Sequence, residues 1–197
     1  MKTAADQPTP SNGEPPLPVW HAAPANVLPG IAPIALVLGR SASTVVTLSV
    51  VRAFASGLSL TLTTHVRGPV QRGDLFAEIS DGPYEHAQDE EWEAGRFRWG
   101  LELADGRRVS NLDAPTWDER AADPDWLPPA PVLTAGGGSG SESWVEQEYW
   151  LWPLPPAGRL RLTCQWLDQG IDASAHDLDA EPFLQAAARA QPLWPAA

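Results

Sequence analysis

Cysteine is nearly missing from this 197-residue chain: Cys164 stands alone. No intrachain disulfide can form, which suits a reducing compartment. Lysine is equally scarce, with Lys2 beside twelve scattered arginines, of which Arg96/Arg98, Arg107/Arg108 and Arg159/Arg161 lie close together. That ratio reads as a GC-rich coding bias. Net charge is −12 and the pI about 4.6. Such an acidic chain repels phosphate backbones and anionic lipid, so neither nucleic acid nor membrane is an expected partner. No long hydrophobic run exists either. The most apolar stretch, 31–55, is interrupted by Arg40, Ser41, Ser43 and Arg52. The N-terminus lacks the apolar segment of a secretory leader, and a cytoplasmic location is expected.

The motifs of common chemistries are also wanting. No GxSxG elbow, HExxH or CxxC occurs. GGGSG at 136–140 lacks the lysine, the preceding strand and the following helix of a phosphate loop, and reads as a flexible linker within 134–143. Acidic residues crowd 73–95 without a calcium-hand pattern. That span reads as a long solvated loop, with a cation or a cationic partner surface as the sharper alternative. His176, Asp177 and Asp179 offer imidazole and carboxylates, but zinc needs three or four convergent ligands. No metal, cofactor or catalytic residue is assigned.

What the chain has in quantity is proline, tryptophan and alternation. Eight of the first 33 residues are proline, so 1–29 reads as a disordered or extended arm whose Val19, Trp20, Val27 and Leu28 could dock its end. Residues 30–197 are expected to form one domain. IALVLG (34–39) is a short apolar run of strand length, and STVVTLSVVRAF (43–54) is dense in β-branched residues. LSLTLTTHV (58–66) alternates, with Leu58, Leu60, Leu62, Thr64 and Val66 on one face. RFRWGLELA (96–104) places Phe97, Trp99, Leu101 and Leu103 inward, and Asp105-Gly106 predicts a type I′ hairpin turn to 107–111. Residues 159–167 bury Leu160, Leu162, Cys164 and Trp166. Asp179 and Pro182 suit the start of a C-terminal helix over 181–191. The expectation is a mainly β protein: a two-sheet antiparallel β-sandwich, immunoglobulin-like or jelly-roll-like, with one C-terminal α-helix, and a barrel as runner-up.

The stretch 144–167 holds the candidate surface. Trp144, Glu146, Glu148, Trp150 and Trp152 share one face of a strand, and Val145, Gln147, Tyr149 and Leu151 the other. Three prolines in Pro153–Gly158 suggest a stiff hairpin loop back into 159–167. If the glutamates face water, the tryptophans do too, and form a platform; a bulge or a late strand start would instead give a structural girdle. Glu146 and Glu148, about 6–7 Å apart by strand rise, overlap glycosidase spacing. Two functions follow. The first is non-enzymatic contact with another protein, or a second copy of the chain, through Trp144, Glu146, Glu148, Trp150, Trp152, Pro155 and Pro156. The second is carbohydrate binding or glycoside processing on the same aromatic strand.

The run W-x-W-P-L-P-P-x-G-x-L from Trp150 to Leu160, the glycine-rich segment before it, Phe54-Ala-Ser-Gly-Leu58, and the alanine-rich stretch with Leu-Trp-Pro at 186–195 resemble an uncharacterised family of small acidic bacterial proteins from GC-rich genomes. The resemblance covers about residues 30–195 and implies a single domain. That family carries no assigned activity, so it implies no functional residue.

Overall fold

The computed structural model describes residues 17–68, 75–80, 95–113 and 126–194. It is mainly β, built from antiparallel sheets. In chain order the strands are β1 (Val27–Leu28), β2 (Gly30–Ala32), β3 (Leu36–Arg40), β4 (Thr44–Phe54), β5 (Gly57–Val66), β6 (Arg98–Glu102), β7 (Arg108–Ser110), β8 (Val132–Ser141), β9 (Trp144–Trp152), β10 (Arg159–Trp166), β11 (Ile171–Asp179) and β12 (Gln191–Pro192). Among the described residues, α1 (Leu75–Ser80) and α2 (Glu181–Ala187) are α-helical, and Leu167–Gln169 forms a 3-10 turn.

One sheet has six strands. β2 and β3 share an edge of β4, and the order continues β5, β9, β8. The second has four, in the order β11-β10-β6-β7. A two-stranded pair joins β1 to β12. In 58–66 the expected inward set, Leu58, Leu60, Leu62, Thr64 and Val66, is buried, but Ser59 and Thr61 on the other face are buried as well. In β4 a bulge between Leu48 and Val50 shifts the inward set from Thr44, Val46 and Leu48 to Val51 and Ala53. One extra residue reverses the parity of everything after it. β6, with Phe97 just before it, and β10 bury the residues expected of them, Phe97, Trp99, Leu101, Leu160, Leu162, Cys164 and Trp166. Trp99 meets Tyr149 of the other sheet edge-on, with ring centroids 4.8 Å apart.

A second tie runs between the sheets. The β3 bulge between Val37 and Gly39 leaves the Leu38 carbonyl outside the β4 ladder. It accepts the Ser174 hydroxyl at 2.5 Å and lies 2.8 Å from His176 Nε2, both on β11. A bulge thus turns an orphaned ladder acceptor into a cross-link between the sheets.

Several expectations are corrected. Residues 144–167 are not a hairpin. β9 pairs with β5 and β8, β10 pairs with β6 and β11, and Pro153–Gly158 carries the chain from one sheet to the other. Proline-rich backbone is too stiff and too poor in donors for a tight ladder turn, but suits a connection from one sheet to another. Residues 134–141 are not a linker: they lie in β8, the edge of the six-stranded sheet. Two of its glycines are required by close packing. A Cβ on Gly138 would lie 2.5 Å from Gln147 Oε1, and one on Gly140 2.7 Å from the Trp144 carbonyl. Within the acidic span, 75–80 is helical, because Leu75 and Ile79, one turn apart, bury together against β8 and β9. The rest of that acidic span except Gly95 lies outside the described residues, as do 1–16. The turn at Asp105-Gly106 is not type I′. Only Gly106 has positive φ, +84°, and its N–H donates to the Leu103 carbonyl at 2.9 Å, the type I turn with a glycine bulge. The helix at the C-terminal end is shorter than 181–191. It closes at Ala187, and Gln191–Pro192 pairs with β1.

Candidate functional site

β9 presents the face holding Trp144, Glu146, Glu148, Trp150 and Trp152 away from the core, with Val145, Gln147, Tyr149 and Leu151 buried against it. The register has no bulge within β9 against β5. The outward face is nevertheless not uniformly open. Trp150 is only 3% exposed. Phe54 stands edge-on to its ring at 5.6 Å, and its indole N–H donates to the Val19 carbonyl at 3.1 Å. The segment that follows, with Trp20 buried and edge-on to Trp126 at 5.5 Å, lies in the same corner. So the outward strand has a covered end and an open end. Trp144, 37% exposed, and the exposed Glu146 make the open one.

Glu148 lies between the two. Its carboxylate receives the Arg52 guanidinium and, at 2.8 Å, the Ser59 hydroxyl, while Arg52 Nε also reaches Ser59. Beyond it the face of β4 and β5 is a ladder of hydroxyls: Thr47 donates to the Thr63 carbonyl, Ser49 to the Thr61 carbonyl, and Thr63 to Ser49 at 2.8 Å. Hydroxyl donors inside a ladder satisfy backbone oxygens and leave little free to grip a ligand. Trp152 is half-buried, Pro156 likewise, and Pro155 is buried in the crossing, where the Leu154 N–H bonds the Ser56 carbonyl at 3.0 Å. Of the seven candidate residues, Trp144 and Glu146 are thus free to meet a partner, Trp152 and Pro156 are partly so, and Trp150, Pro155 and the paired Glu148 are engaged within the fold.

The remaining chemical candidates separate. Cys164 faces the core, and burial pushes its thiol up to about 12. His176 bonds Leu38, while Asp177 points to the opposite face of β11 toward Arg159 at 3.5 Å and Arg161 at 3.8 Å. Among the described residues no group of three or more His, Cys, Asp or Glu side chains could hold a metal ion. Tyr149 is fully buried, donates to the Ile79 carbonyl, and has its phenol pushed upward by desolvation.

Two features escape the sequence reading. Arginines that look scattered are gathered on the solvent face of the four-stranded sheet: Arg98, Arg108, Arg159 and Arg161 rim a trough floored by Gly100, Ser110 and Thr163. Glu102 and Asp177 lie between them, with Arg108 2.8 Å from Glu102. The alternation of arginine with buried leucine in 159–162 was the available signal. The other feature is the β8 edge. Seven consecutive residues, 135–141, are exposed there with no charged side chain and no proline.

No protein-family model matches this chain, nor does any curated protein or solved structure. Function has to be read from the geometry.

Proposed function

We propose that this chain is a non-enzymatic, cytoplasmic two-layer β-sandwich that works by protein–protein contact, through the open end of β9. The observation that carries the reading is the exposure of Trp144 beside the exposed carboxylate of Glu146, on a strand whose Trp150 is covered by the fold itself. Exposed aromatic rings are enriched at the centre of contact surfaces, and carboxylates such as Glu146 suit their polar rim. The sandwich assignment draws support from the Trp99–Tyr149 contact and from the Leu38 carbonyl bridging β3 to β11.

The carbohydrate reading uses the same strand and has less to stand on. A sugar platform needs open rings, and Trp150 is capped by Phe54 and Val19. A carboxylate pair across a cleft is also needed, and Glu148 is taken up by Arg52 and Ser59 on a sheet face. A photo-crosslinking side chain in place of Trp144 tests the proposal against one in place of Arg161 on the opposite sheet. In lysate of the native host, a discrete adduct from position 144 alone is expected. Identical adducts from both positions, or none from 144, refute it.

A further inference from the structure

The six-stranded and four-stranded sheets end in four edges, and three of them are guarded. The β2–β3 edge is broken at Pro33 and covered by α2, whose Ala186 carbonyl would lie 1.8 Å from a Cβ on Gly30. β7 is only three residues long. β11 carries Asp172, His176, Asp177 and Asp179. Short length, cover and charge are the usual means of keeping foreign strands away. β8 is neither short nor charged, although a bulge between Ala135 and Gly138 interrupts its register with β9 and α1 packs against it. The strand is ten residues long, without charge or proline, and among the described residues nothing pairs its outer side. A strand in that position turns every second N–H and C=O toward solvent.

The two faces beside that edge specify an occupant. Across β8 and β9, Ser139 lies opposite Glu146 and Ser141 opposite Trp144 on the outward face. A strand added to β8 would lie about 9.5 Å from β9, two strand spacings away. Only serine side chains intervene there, so a long cationic side chain can extend over them to the Glu146 carboxylate and the Trp144 ring. On the inward face the edge offers Gly138 and Gly140, with Phe76, 36% exposed, 3.0 Å from where a Gly138 Cβ would stand. The next residue along an added strand meets that ring, and an apolar side chain suits it.

We propose that β8 accepts, by strand addition, an extended segment of another protein in which Lys or Arg alternates with apolar residues. The inference rests on the contact surface proposed above and names its partner. The net charge of −12 draws a basic segment in and disfavours a second copy of the chain, which would bring Glu146 toward its own like charge.

A blocked peptide of alternating Lys and Val, about as long as β8, is the probe, titrated into the full chain. Slowed hydrogen exchange at the β8 amides is expected. Gly137→Lys puts a guarding charge where a Cβ meets nothing within 4 Å, so no clash opposes it. It should weaken binding at least about tenfold, as should Glu146→Lys and replacement of the peptide's lysines by glutamate. Binding indifferent to Gly137→Lys, or no new protection in β8, overturns strand addition. So does concentration-dependent dimerisation that Gly137→Lys abolishes. If Trp144→Ala abolishes peptide binding while Gly137→Lys leaves it intact, strand addition fails and the contact surface survives. If neither variant affects binding, both fail.

Discussion

Replacing Trp150 by alanine and, separately, Trp144 by alanine sets two tryptophans of one strand face against each other. Trp150 is 3% exposed and Trp144 37%. A buried tryptophan removes about 150–250 Å² from water, or about 4–6 kcal/mol at 25 cal/mol per Å². That is an upper figure, since the unfolded chain already buries part of it. Loss of the indole bond to the Val19 carbonyl adds about 1 kcal/mol. Partial collapse of Phe54 and the 17–20 segment into the gap offsets some of the cavity, so the net cost expected for Trp150→Ala is about 3–5 kcal/mol. For a chain of this size that lowers Tm by about 6–20 °C. Trp144→Ala, whose ring is only partly covered, should cost less, about 1–2 kcal/mol. Urea denaturation followed by far-ultraviolet circular dichroism measures both. Equal losses would refute the claim that the 17–20 segment covers one end of β9 and leaves the other open. A loss under about 1 kcal/mol for Trp150→Ala would do the same.

Cys164, with its thiol pushed up to about 12 from an ordinary 9.0, should resist iodoacetamide at pH 8 and react only as fast as the protein unfolds. Its raised value also means that the unfolded thiol ionises first. Stability is then fully present below about pH 9 and declines as pH rises toward 12, and Cys164→Ala flattens that decline in pH-dependent urea melts. His21, which burial pushes below 6.5, has the opposite sign: its contribution is present above pH 6.5 and lost below it, so His21→Phe should reduce the acid-side fall in the unfolding midpoint. Gly30→Ala drives a methyl into the Ala186 carbonyl and should destabilise by more than about 2 kcal/mol, with α2 amides losing exchange protection first.

The legible elements were those whose burial follows a fixed period. Leu58 to Val66 and Phe97 to Leu103 announce their inward faces because every second residue is apolar, and the same holds for Leu160 to Trp166. Glycine and acid hid two others. Residues 134–141 have no side-chain pattern, yet form a strand because β9 supplies ladder partners and because Gln147 and Val145 occupy the space where side chains would stand. Leu75 and Ile79 form a helical pair inside a span whose acidity reads as solvated. The β4 bulge was invisible for a different reason: around it, both parities of 43–51 are β-branched or small apart from Leu48, so the sequence offers no phase to detect.

At the candidate site, composition and alternation were enough to place Trp144, Glu146, Glu148, Trp150 and Trp152 on one side of a strand, since side-chain direction in a strand is a local property of the backbone. Which of those rings meets water is not local. It was decided by Phe54 and Val19, respectively about a hundred and about 130 residues away, closing over Trp150, and by Arg52 reaching Glu148 from a neighbouring strand. The parting of β9 from β10 into different sheets was likewise settled by partners elsewhere in the chain, because a strand's ladder hydrogen bonds are made to whichever edge is adjacent in space.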